Sequence, residues 1–300
     1  MKSSNPFMSS MVGRGTQNQG NPFTAGNKAP TNPYAQPGGQ YGSMQGGVAT
    51  AAAHQGMPGA ANYGQAGASD RPITVDDVVT KTGITLAVII VGAIVNYFLC
   101  ASPATSGIGM LLTAVGAIGG LIAVLVSSFG RKYDSAAVTL IYAAFEGLFV
   151  GGFSFMVAGL SVQGQDAGSL IAQAVLGTIG VFLGMLFVYK TGAIRVTPKF
   201  TRFMVGALIG VLVLVLGNLI FGLVAGSAGP LRDGGPVAWL FSLVCIGLGA
   251  LSFLLDFDQA DKLVRAGAPS KMAWGVALGL AVTLVWMYTE ILRLLSYMRN

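Results

Sequence analysis

Seven apolar runs follow one another from Gly83 to near the C-terminus, separated by short polar connectors. They fall at about 83–100, 108–127, 136–158, 168–189, 203–225, 237–256 and 273–296, each close to the roughly 20 residues with which a helix crosses a bilayer. In hydrocarbon every backbone N–H and C=O must be satisfied within the span, and the runs are too long for barrel strands. The pattern therefore predicts an all-α integral membrane protein with seven transmembrane helices within residues 71–300. Residues 1–70 follow a different pattern: Gly, Pro, Asn, Gln, Ser and Ala dominate, with no hydrophobic period. Such a segment buries too little apolar surface to offset its ordering entropy, and a disordered tail is expected. No apolar stretch follows Lys2, so no signal peptide is expected. Thr74 and Asp77 have the spacing of a capping box, which places the start of ordered structure near Arg71.

Composition agrees with this class. Hydrophobic residues make up 53% of the chain and charged residues 9%, with a mean hydropathy of +0.68, whereas soluble domains carry about 25% charged residues. The net charge of +6 does not point to nucleic acid, because a nucleic-acid binder gathers its basic residues on one folded polar face. Here they lie in connectors. Arg131 and Lys132, then Lys190, Arg195, Lys199 and Arg202, then Lys262, Arg265 and Lys271 occupy alternate connectors. The other set holds Arg232 alone. This asymmetry predicts a cytoplasmic tail, a multi-pass topology in the cell membrane and a C-terminus outside, with Arg299 slightly opposed. Cys100 and Cys245 sit in or beside apolar runs with no metal-ligand spacing, and read as buried small hydrophobes. The pairs Gly116/Gly120, Gly147/Gly151, Gly180/Gly184 and Gly206/Gly210 read as close helix packing. The triplets beginning at Asn5, Asn21 and Asn32 (Asn-Pro-Phe twice, then Asn-Pro-Tyr) read as drift in low-complexity sequence more readily than as docking peptides. His54, the single histidine, lies in the tail. Without a membrane His base or an H-E-x-x-H zinc motif, catalysis is not expected.

Only 11 residues are Asp or Glu, and four of them, Glu146, Asp256, Asp258 and Glu290, lie within or at the edges of the apolar runs. A carboxylate at the bilayer centre costs about 2.5–3.5 kcal/mol even on insertion scales, so intramembrane acids point to ion or proton paths. Asp261 reads as solvated surface, Asp258 as surface or the rim of a site, and Asp256 as partly buried at the end of the sixth run. Glu290 has Arg293 three residues on, a helix-surface pair or, in lipid, a stronger one. Glu146, near the middle of the third run, has no basic neighbour in sequence. Two facing carboxylates share a proton and titrate as a unit, and on losing it they attract a cation such as Ca²⁺, which takes oxygen ligands.

Three motifs carry a resemblance: Tyr142-Ala143-Ala144-Phe145-Glu146-Gly147, Asp256-Phe257-Asp258-Gln259 and Met287-Tyr288-Thr289-Glu290-Ile291-Leu292-Arg293-Leu294-Leu295. They are similar to the third-, sixth- and seventh-helix motifs of the Bax inhibitor-1/YccA family, bacterial members included. The resemblance covers about residues 75–300 and none of the tail. It implies six helices around a central seventh and a pH-sensitive cation leak, with Ca²⁺ as permeant or transiently bound ion and no other cofactor. It also implies a carboxylate latch in which Asp256 and Glu290 match the two family acids, with Glu replacing Asp in the second. Arg131 is the nearest match to an arginine that pairs with the latch in some members. A second reading makes the chain a regulatory membrane subunit that binds a membrane protease or stress-response partner through residues 1–70. One geometric expectation opposes the latch: with the sixth helix ending near Asp256, Glu290 lies about 25 Å higher.

Overall fold

The computed structural model describes residues 71–161, 167–227 and 229–299. The expected disordered tail, its three triplets and His54 lie outside them. The described residues form α1 (Val75–Ala101), α2 (Ser106–Phe129), α3 (Ala136–Ser161), α4 (Ala167–Thr191), α5 (Pro198–Ala225), α6 (Pro236–Arg265) and α7 (Ala273–Tyr297), with a 3-10 turn at Ser270–Met272. All seven helical spans are long and apolar enough to cross a membrane. The seven predicted runs are thus seven helices, and among the described residues there is no strand, only an isolated bridge between Pro72 and Pro269.

The helix ends depart from the apolar boundaries where polar side chains support further turns. α6 was expected to stop near 256 and continues to Arg265. Its last turns are held by Asp258 with Lys262 at 2.5 Å and Asp261 with Arg265 at 2.8 Å, both i,i+4 pairs with the acid first, the favourable order on a helix. α1 begins at Val75, where Thr74 and Asp77 complete the capping box reciprocally. Arg71 clamps both Asp77 oxygens at 2.7 and 2.6 Å. The same entry segment is tied to the α6–α7 connector: Ile73 N–H donates to the Ala268 carbonyl at 2.8 Å, Ser270 N–H to the Arg71 carbonyl at 2.9 Å, and Lys81 to the Ser270 carbonyl at 2.6 Å. Thr74→Ala is expected to lower stability by about 1 kcal/mol, read as a small fall in thermal midpoint together with faster amide exchange in the first turn of α1.

α7 is the central helix: 67% of its most apolar window is buried inside the protein, against 6% for α5. Its main packing partners are α1, α3, α4 and α6, while α2 lies against α1 and α3, and α5 against α6. Close approach on either side of α3 depends on glycine. A Cβ on Gly147 would stand 2.6 Å from the Ile89 carbonyl of α1, and one on Gly116 would stand 2.5 Å from the Phe145 carbonyl of α3. Asn96 ties the three helices together, donating to Thr113 of α2 at 2.9 Å and to the Leu148 carbonyl of α3. The expectation of tight packing fails at the other two glycine pairs. Nothing lies within 4 Å of an added Cβ at Gly180, Gly184, Gly206 or Gly210, which face open space on the thinly packed helices α4 and α5.

Candidate functional site

α6 and α7 run antiparallel, and their seam holds both acids of interest. Gly249 lies against Met287 and Trp286, and Gly279 faces Asp256. Because α6 continues to Arg265, Asp256 stands nine residues, about 14 Å, in from the end of its helix. It is partly buried, as its sequence context suggests, but it does not lie at the end of its helix. The Thr283 hydroxyl of α7 donates to its Oδ2 at 2.7 Å. Gly279, one turn earlier, leaves room for the carboxylate: a Cβ there would sit 3.8 Å from Oδ1. Asp256 has no salt bridge among the described residues. The start of α7 is continuous helix through Gly275 and Gly279. Gly275 instead admits the Tyr133 carbonyl of the α2–α3 connector, which would stand 2.5 Å from a Cβ.

Glu290 occupies a different environment. Its side chain is only 6% exposed, that of Arg293 is 9% exposed, and the two pair at 2.9 Å. The Arg293 guanidinium also lies over the Phe153 ring of α3 at 5.6 Å, a cation–π contact that strengthens with desolvation. One carboxylate oxygen, Oε2, is buried with no hydrogen-bond partner. Glu290 and Arg293 line a cavity of about 300 Å³ together with Cys245 of α6, Phe149 and Phe153 of α3, Val215 of α5, and Arg232.

The structure does not bring Asp256 and Glu290 together in this conformation. Thr283, the partner of Asp256, is seven residues before Glu290 on α7, which is two turns on the same face and about 10 Å of rise. The separation is far less than the 25 Å expected, because α6 continues past Asp256 to Arg265. Asp258 is taken up by Lys262. Arg131 is exposed on the α2–α3 connector with a left-handed backbone (φ 51°) and makes no salt bridge to either acid among the described residues. Glu146 points from α3 into the gap left by Gly120 of α2, whose added Cβ would lie 2.7 Å from its Oε2. It has no hydrogen-bond or ion-pair partner among the described residues.

Two functional candidates escaped the sequence reading. Thr283 carries no signal in an apolar run, since membrane helices hold many hydroxyls that bond their own backbone. Arg232 did carry one: it is the single basic residue in the connectors that otherwise have none.

Fold and site define a multi-pass α-helical membrane protein with carboxylates held inside its bundle. A sequence model described as Bax inhibitor 1 like matches residues 5–300, and the chain belongs to that family. The match takes in most of the tail, which the motif resemblance had left out. No curated protein matches the sequence significantly.

Proposed function

We propose that this protein is a pH-sensitive cation leak, with Ca²⁺ the best-suited ion, and that it works by transport and not by catalysis. The observation that carries the reading is Asp256: a partly buried carboxylate away from the end of its helix, with a hydroxyl for a partner and no salt bridge among the described residues. A lone carboxylate can carry a proton or a metal ion, and oxygen ligands suit Ca²⁺. With the proton bound, the Asp256–Thr283 contact joins α6 to α7 as a neutral hydrogen bond. With the proton lost, it becomes a charge that attracts a cation. Glu290, two turns further along the same seam, receives the ion next, once Arg293 yields its oxygen. The two acids thus act in series, about 10 Å apart, and an approach of α6 to α7 that lets them share a proton belongs to another conformation. The basic connectors support an N-terminus on the cytoplasmic side of the cell membrane.

The test is Ca²⁺ flux into proteoliposomes across a pH series. Asp256→Asn is expected to flatten the pH dependence, and Thr283→Val to alter it while leaving the protein folded. Wild-type curves from both variants would refute the roles assigned to these residues. Deleting residues 1–70 leaves flux intact on this reading, whereas a regulatory subunit that docks through the tail would lose its partner.

A further inference from the structure

The α5–α6 connector does not simply cap the bundle; it folds back into it. Gly226 and Gly229 both take left-handed backbone, with φ of 64° and 76°. Gly229 presses on the Asn218 amide so closely that a Cβ would stand 2.4 Å from its Oδ1. The same Oδ1 accepts the Leu231 N–H at 3.0 Å. Asn218 is buried and lies seven residues before the end of α5 at Ala225, so Leu231 is anchored about 10 Å below that end. The next residue is Arg232. Its side chain reaches the wall of the cavity that Glu290, Arg293 and Cys245 also line.

The charges in this cavity do not cancel. Among the lining residues two guanidiniums face one carboxylate, and Arg293 already uses one of its oxygens; Asp233, beside Arg232, is exposed outside the lining and accepts the Gly235 N–H. The remaining wall is Val211, Val215, Trp286, Phe149, Phe153 and Thr289, and Arg232 itself is exposed at the edge of the cavity.

We propose that Arg232 is a charge-selecting residue that makes this cavity a cation-repelling, anion-admitting vestibule, and that the Asn218–Gly229 anchor holds it there. Its consequence for flux rests on the leak reading: the vestibule is the barrier that keeps the leak small. The charge selection itself does not rest on that reading.

Cys245 lines the cavity but is only 1% exposed, so its labelling is read together with that of a more open second reporter. In a Cys100→Ala chain in nanodiscs, which open both faces to solvent, Cys245 is treated with two methanethiosulfonates of like size, one ending in a sulfonate and one in a trimethylammonium. Each rate is divided by that for free cysteine. The sulfonate is expected to react faster by about tenfold. Arg232→Gln should abolish that preference, Arg232→Lys should keep most of it, and Asn218→Ala should weaken it by releasing the connector with its charge intact. A second reporter, Val215→Cys with Cys245→Ala, samples the α5 wall. An equal preference in wild type and Arg232→Gln overturns the proposal, as does failure of both reporters to react with either reagent. In proteoliposomes, Arg232→Gln should raise Ca²⁺ flux and Arg232→Lys should not. If the labelling result holds and the flux does not change, the leak reading fails and the vestibule stands.

Discussion

Glu290→Gln is expected to destabilise the protein by about 3–5 kcal/mol, the range for breaking a buried ion pair by removing one partner. The cost comes from what the substitution leaves behind. Arg293 would remain on α7 with its side chain 9% exposed, its charge facing a neutral amide, and with Arg232 across the same cavity. The Phe153 ring offsets only part of this, since such a contact contributes about 2 kcal/mol when desolvated. Glu290→Gln/Arg293→Met should recover much of the loss, because the guanidinium that the single substitution leaves buried without its counter-charge is then gone, and only a neutral amide remains to be satisfied. The measurement is a double-mutant cycle on thermal unfolding in detergent. A coupling below about 0.5 kcal/mol, the scale at which independent sites simply add, would mean that the pair is not the buried unit described above.

The second large effect falls at Gly151. A Cβ there would stand 2.3 Å from the Ala93 carbonyl of α1. A backbone oxygen cannot rotate away as a side chain can, so Gly151→Ala must push α1 and α3 apart along a seam that also includes Gly92 and Gly147. Overpacking of this kind costs about 1–3 kcal/mol, and more where backbone meets backbone. Gly184→Ala and Gly210→Ala are the controls. Both positions face open space, and alanine is favoured over glycine in a helix by about 1 kcal/mol. The expected result is a clear fall in thermal midpoint and folded yield for Gly151→Ala, with no fall for the controls. Equal behaviour of the three variants would remove the close α1–α3 contact from the account of stability.

These effects show where the sequence is informative. A small-xxx-small spacing marks a stripe on a helix but not what faces it, so Gly147/Gly151 and Gly206/Gly210 look alike on paper. Only the first pair meets a neighbour. The end of α6 was misplaced for a related reason. Hydropathy falls at Asp256-Phe257-Asp258, yet the helix continues because Lys262 and Arg265 satisfy Asp258 and Asp261 one turn on. Polarity and helix end coincide only where no such partner follows.

By itself the sequence determined the seven helices, the capping box at Thr74 and the family, and it singled out the acids that lie in or beside the spans. Each of these depends on local spacing or on the cost of moving one segment into lipid, and both can be read along the chain. Only the tertiary structure decided which groups meet. It gave Asp256 to Thr283, Glu290 to Arg293, and Arg232 to the same cavity from a connector 58 residues before Glu290. Such contacts depend on the relative rotation and depth of helices far apart in sequence, which no single span encodes.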